Sequence, residues 1–164
     1  MSDKIRIALI GAAGKVAAPC HLNAVQMVDG LELVAVCDTE VDNLETIARW
    51  HSVNSVYSDF DNLLDDDDID AVDIVLPHFL HADMTIAAAR AGKHIYVEKP
   101  MARTHGECEA MVSCCRAAGV PLFVAYYRRR LPLFLKAEEL LRDGAIGDIP
   151  FLKVALGHRH TNFN

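Results

Sequence analysis

No run of eighteen apolar residues occurs in the 164-residue sequence, so no membrane-spanning helix is expected. Basic residues are in deficit, with 16 Lys and Arg against 23 Asp and Glu and a net charge of −7. That deficit argues against nucleic acid or an anionic membrane surface as the main partner, since both are bound through a basic footprint. No Cys-x-x-Cys pair is present, and five cysteines (Cys20, Cys37, Cys108, Cys114 and Cys115) are an odd number. Buried thiols in a reducing, cytoplasmic compartment are the simplest account. A secretory leader is not expected either. Lys4 and Arg6 precede an apolar run, but Ile7 to Ile10 is short, Gly11 and Gly14 break it, and Pro19 before Cys20 spoils a lipoprotein-type site. Internal repeats, low-complexity linkers and heptad arrays are absent.

What is present is a globular composition, 52% hydrophobic and 24% charged, with enough length for one domain and a real core. The acidic excess is concentrated. Asp59, Asp61, Asp65, Asp66, Asp67, Asp68, Asp70 and Asp73 have no Lys or Arg among them, and without them the balance is near neutral. The expected result is one negative patch. Its Asp65 to Asp68 core lacks the glycine and ligand spacing of a calcium loop and reads as a solvated helix end.

Short β-rich apolar runs alternate with segments of helical period. Lys4 to Ile10, Leu31 to Cys37, Ala71 to Leu76, His94 to Glu98 and Pro121 to Tyr126 read as strands, and Ser55 to Tyr57 as a short edge strand. Their near-continuous apolarity suits parallel strands covered on both faces. Between them, Met84, Ala87, Ala88 and Ala91 lie at helical spacing before Gly92, which reads as a C′ residue. Thr104 and Glu107 form a capping box ahead of Cys108, Met111, Val112 and Cys115. Ser58 with Asp61 opens a short helix, and Leu133, Ala137, Leu140 and Leu141 repeat up to Asp143-Gly144. Cys20, Cys108 and Cys115 are expected to be core thiols and Trp50 to pack at a helix end. This succession predicts an α/β, doubly wound parallel sheet.

In such a sheet ligands bind beyond the carboxyl ends of the strands. The residues there are Gly11 to Val16, Asp38, Pro77 to His81, Glu98 to Met101, and Tyr126 to Arg130. Gly11-Ala12-Ala13-Gly14-Lys15-Val16 follows a strand and opens a helix, the context of a dinucleotide fingerprint. Helix amides there receive a pyrophosphate, although Ala13 stands where the fingerprint has its middle glycine. A strand-to-helix turn without a ligand is the plainer alternative. Asp38, roughly 20 residues beyond the turn, is placed to accept from ribose hydroxyls and to repel a 2′-phosphate, favouring NAD over NADP. A cap for the helix beginning near Glu40, with Thr39 competing, is the second and compatible role for Asp38. Glu98-Lys99-Pro100 puts a lysine into the crevice beside a glutamate, with Pro100 fixing the backbone in a trans or cis bond, an ordinary turn being the plainer alternative. His81 is read as ligand-facing, packing or capping, and Cys37 as a thiol near any cofactor. His158 and His160 share a strand face, but no third metal ligand accompanies them, so no metal site is expected.

Several of these blocks occur together and in order: the glycine turn, Pro77-His78-Phe79-Leu80-His81, Ala91-Gly92-Lys93-His94, Glu98-Lys99-Pro100-Met101-Ala102 and Gly144-Ala145-Ile146-Gly147-Asp148-Ile149. Through them the chain resembles the Gfo/Idh/MocA family, the glucose–fructose oxidoreductase and inositol dehydrogenase group, over nearly its whole length. The resemblance implies a Rossmann domain over residues 1–125. It also implies a connecting helix and the first strand of a second α+β domain over 126–164, with Phe151 to Gly157 as that strand and the rest of the domain missing. It implies an NAD-dependent oxidoreductase, NADP being the other option, that moves hydride between nicotinamide and a hydroxyl-bearing carbon of a sugar, cyclitol or related polyol. Lys99 would contact the substrate hydroxyl as the catalytic residue, where an ammonium stabilises a developing alkoxide. Gly11, Ala12, Ala13, Gly14, Lys15, Val16, Asp38, Pro77, His78, His81 and Glu98 would hold the cofactor, and Tyr127 and Arg128 the substrate. Tyr127 departs from the small polar residue many relatives carry. A homo-oligomer is implied too. By itself the 164-residue chain is expected to be a poor catalyst. A non-catalytic dinucleotide sensor and an inactive fold fragment are the alternatives.

Overall fold

Six short strands form a single parallel sheet in the computed structural model, which describes residues 4–15 and 18–153. The strands are β1 (Ile5–Ile10), β2 (Leu31–Cys37), β3 (Ser55–Tyr57), β4 (Ala71–Ile74), β5 (His94–Val97) and β6 (Leu122–Val124), in the order β3-β2-β1-β4-β5-β6. The order reverses direction after β1, so the crevice of a doubly wound sheet opens between the ends of β1 and β4. In register, Leu9 stands beside Asp73 and Asp73 beside Tyr96. Period-two alternation therefore puts these three side chains on one sheet face.

Helices cover both faces. On one side Ala18, Leu22 and Val25 of α1 (Ala18–Gln26) and Leu44 and Ala48 of α2 (Val41–Trp50) join Ile7, Leu9 and Val36 in a core. On the other, Ala82, Ala88 and Ala89 of α4 (His81–Arg90) and Met111 and Cys115 of α5 (His105–Ala118) join Ile10, Val72, Ile74 and Ile95. Each fully buried Leu or Ile here contributes about 2 kcal/mol by leaving water. Residue choice fixes the helix ends. The Thr104 hydroxyl accepts from the Glu107 N–H, and the Glu107 carboxylate accepts from the Arg103 N–H and guanidinium rather than completing the box on Thr104. Gly92 and Gly119 adopt left-handed φ of +73° and +69°, where a side chain is strained.

Several expectations are corrected. The short helix α3 (Phe60–Leu64) is capped by Asp59, whose carboxylate accepts from the Asn62 N–H, and not by Ser58. Trp50 is 81% exposed rather than packed. Cys20 is exposed and Cys108 half-buried, because α1 and α5 turn other residues inward. Asp73 does not belong to the surface patch, for it is buried in the sheet. The patch itself is tied down by cations from outside it. The Arg6 guanidinium pairs with Asp68 and Asp70, and Lys93 Nζ donates to the Asp66 and Ile69 carbonyls. The Tyr57 hydroxyl donates to Asp66, which raises its own pKa to about 12.

The chain divides into two compact units, residues 1–126 and 127–164. In the second, a 3-10 turn (Tyr127–Arg130) precedes α6 (Pro132–Arg142), which starts with proline in its first turn and carries the surface pairs Lys136–Glu139 and Arg142–Glu138. Residues 151–153 form no strand, and the remainder of the expected strand, with His158 and His160, lies outside the described residues.

Candidate functional site at the carboxyl edge of the sheet

The loops after β1, β2, β4 and β5 meet along one edge and are laced by backbone bonds. Gly11 and Ala12 N–H donate to the Cys37 carbonyl, Val75 N–H to Ile10, and Glu98 N–H to Ile74. Gly11 has φ +86°, and a Cβ there would overlap the Val75 carbonyl oxygen, so only glycine lets the turn pass so close to the end of β4. Gly14 N–H closes the turn on the Gly11 carbonyl, and Lys15 is exposed. Val16, the last residue of the expected cradle, lies outside the described residues.

Asp38 acts on the same turn. Its Oδ2 accepts from the Ala13 N–H at 2.9 Å and its Oδ1 from the Glu40 N–H at 3.0 Å. It thus ties the glycine turn to the start of α2, where Glu40 is the capping position and Thr39 makes no cap. A carboxylate has about four lone-pair sites, so acceptor capacity is left for a ligand hydroxyl. The Ala13 N–H, by contrast, is engaged within the protein. Cys37 is buried, and desolvation with the Asp38 charge pushes its thiol up to about 12, which leaves it inert.

After β4, Pro77 and His78 are exposed on a turn closed by Leu80 N–H onto the Pro77 carbonyl, with the His78 and Phe79 rings edge to face. His81 points the other way. It is buried, with Nδ1 2.9 Å from the Pro100 carbonyl oxygen and Nε2 2.9 Å from that of Leu76. Its ring bridges the loops after β4 and β5. The Lys99–Pro100 bond in the second loop is cis. Lys99 is 56% exposed in its side chain, with Nζ 3.8 Å from Glu98 Oε2, while the same oxygen accepts from the Lys99 backbone N–H at 2.7 Å.

Two residues that sequence reasoning missed stand behind Glu98. His21 of α1 places Nε2 3.1 Å from Glu98 Oε1 and Nδ1 2.8 Å from Asp73 Oδ2. Burial holds Asp73 above the usual carboxylate range, and His21 is held above the usual imidazole range first by its hydrogen bond to Asp73. Both effects keep a proton on the pair. An aspartate inside the otherwise apolar run Ala71 to Leu76 was the available signal, since a lone charge in a doubly covered strand requires a partner. Tyr127 and Arg128 lie in the second unit, both exposed. Among the described residues, no cluster of three or more metal-ligating side chains occurs and no helix is long and apolar enough to cross a membrane.

A family model described as an oxidoreductase family with an NAD-binding Rossmann fold matches residues 5–126. Levoglucosan dehydrogenase from Pseudarthrobacter phenanthrenivorans is 44% identical over 105 residues, covering 64% of this chain and 27% of that protein. Myo-inositol 2-dehydrogenase from Thermotoga maritima is 30% identical over 150 residues, covering 92% of this chain and 44% of that protein. The crystal structure of scyllo-inositol dehydrogenase from Lactobacillus casei, with bound NAD(H) and scyllo-inositol, superposes with a TM-score of 0.82 at 26% identity, over 88% of this chain and 43% of that one. The chain thus spans less than half the length of each of these relatives.

Proposed function

The chain belongs to the Gfo/Idh/MocA oxidoreductase family with its NAD-binding Rossmann fold, and we propose that it is the cofactor half of a dehydrogenase that oxidises or reduces a CH–OH carbon of a sugar, cyclitol or related polyol. The observation that carries this reading is the exposed Lys99 ammonium on the turn after β5, steadied by Glu98 and lying on the edge where the glycine turn and Asp38 meet. Nicotinamide, when bound, supplies the hydride acceptor or donor. The residues of this chain bind, orient and manage a proton. Lys99 hydrogen-bonds the substrate hydroxyl and stabilises the charge that develops on its oxygen.

Asp38 uses its remaining lone pairs for ribose hydroxyls and disfavours a 2′-phosphate by charge. The amides at the start of α1 face the pyrophosphate, and Pro77 and His78 border the middle of the cofactor. His81 serves this site by joining the two loops and not by touching ligand, since both its ring nitrogens are engaged. Tyr127 and Arg128 are assigned to the substrate on family resemblance.

Calorimetric titration with NADH and NADPH tests the reading. NADH is expected to bind more tightly, and Asp38→Ala is expected to narrow that preference by about tenfold, the scale of one charge-assisted hydrogen bond. An unchanged ratio assigns Asp38 to its backbone bonds alone, and no binding by a folded chain overturns the cofactor role.

A further inference from the structure

Asp73 is the one carboxylate buried in the sheet among the described residues, 2% exposed, and only one of its oxygens has a hydrogen-bond partner there. That partner is His21, whose other nitrogen faces Glu98. One imidazole therefore lies between two carboxylates, with the Tyr96 ring 6.0 Å away as its aromatic neighbour. Tyr96 keeps its own proton and takes no part in the exchange, since burial, with the Asp73 and Glu98 charges, raises its phenol above the usual range. Lys99, beyond Glu98, is the cation on the far side.

The hydrogen-bond inventory restricts the ring. With the shared proton on Nδ1 and a second on Nε2, His21 is an imidazolium. With the shared proton on Asp73, the ring is neutral and its single hydrogen must sit on Nε2. Both states present Nε2–H to Glu98. A neutral ring with its single hydrogen on Nδ1 is disfavoured, because its bare Nε2 would set a lone pair against a carboxylate oxygen. Asp73 thus orients the ring through Nδ1, as the carboxylate of a hydrolytic triad does, but here Nε2 is kept as a donor and is not left bare as a base.

We propose that Asp73 and His21 are positioning residues for the Glu98–Lys99 turn: Asp73 locks His21 with a proton on Nε2, His21 Nε2–H holds Glu98, and the held Glu98 carboxylate fixes the Lys99 backbone. The proposal deepens the dehydrogenase reading and rests on it for the claim that this turn borders the cofactor. A buried ion arrangement of this kind contributes little net stability, because desolvation offsets the attraction. Its consequence is geometric. Glu98 has one orientation instead of several, with one oxygen on His21 and the other on Lys99.

The first test needs no variant. In nitrogen-15 NMR of the wild-type chain from about pH 6 to about pH 7, where an ordinary histidine passes from mostly charged to mostly neutral, His21 Nε2 is expected to stay proton-bearing throughout. A bare Nε2 anywhere in that range overturns the proposal. The second compares His21→Gln, whose amide can still donate to Glu98, with His21→Leu, which cannot. With both folded by circular dichroism, NADH affinity is expected to fall about tenfold in the Leu variant and to recover to within about threefold of wild type in the Gln variant. Equal losses reduce His21 to packing and overturn the proposal. If the folded wild-type chain binds no NADH, the cofactor reading fails, while the ring nitrogens still decide the relay.

Discussion

Strand β5 has a lysine at each end, and the two are used in opposite ways. At the amino end Lys93 is 7% exposed, and its ammonium donates to the Asp66 and Ile69 carbonyls. At the carboxyl end Lys99 is open to solvent and loosely paired with Glu98. Lys93 closes a corner, tying the acidic loop before β4 to the sheet. Lys99 lies on the edge where the loops converge and where open α/β sheets bind ligands. The contrast teaches that position along a parallel strand, and not residue type, separates the cation buried in the structure from the one left open to a ligand.

The largest effect is expected where the two ends of the sheet are held in register with the site. Gly11→Ala has both a positive φ and a backbone oxygen in its way, so it should cost about 3 kcal/mol or more and lower the melting temperature accordingly. A variant that melts like wild type would show that the turn is free to move. Next comes the amino end. Lys93→Met removes two charge-assisted bonds, one to the buried Ile69 carbonyl and one to the half-buried Asp66 carbonyl, and should cost about 2 kcal/mol, read by urea unfolding, with NADH affinity unchanged. A loss of affinity without a loss of stability would erase the distinction between the two lysines.

A smaller effect is expected from His21. Its folded pKa is raised, so the stability it contributes is present below its ordinary value and is lost as pH rises through the folded value. Buried Asp73, also raised, acts in the same direction by retaining the shared proton. The melting temperature should therefore decline from neutral to mildly alkaline pH in wild type and stay flat over that range in His21→Gln. A parallel decline in both would place the titrating group elsewhere. The smallest effect on folding belongs to Lys99→Ala, within about 0.5 kcal/mol as for an ordinary surface site. The same change should leave NADH affinity nearly intact and abolish turnover of a sugar or polyol wherever turnover is measurable. Equal losses of affinity and turnover would move Lys99 to the cofactor.

Most of the architecture was legible because strand and helix are signalled locally. The apolar runs at Leu31 to Cys37 and His94 to Val97 became strands, and Gly92 and Thr104 marked helix boundaries. Misplacements arose where a local pattern leaves a choice that packing settles. Cys20 and Trp50 sit on helices whose buried faces are defined by Leu22 and Leu44, and one step around a helix exchanges inside for outside. Ser58 and Asp59 are both good caps, and the extended backbone at Asp59 selected it.

The site divides in the same way. The strand ends, the glycine turn, Asp38 and the Glu98-Lys99-Pro100 turn could be named from order and residue type, because a doubly wound sheet brings its carboxyl ends together whatever the intervening helices contain. The sequence by itself therefore determined the fold class, the carboxyl edge of the sheet and the residues that line it. Only the tertiary structure decided what stands behind that edge. His21, Asp73 and Glu98 lie far apart in the chain, on a helix, a strand and a loop, and no spacing rule joins them. Asp73 counted as one more acid in a charged stretch until the sheet register placed it beside Leu9 and Tyr96, away from water and opposite α1. A buried charge takes its role from its neighbours in space, and those neighbours exist only once the sheet has formed.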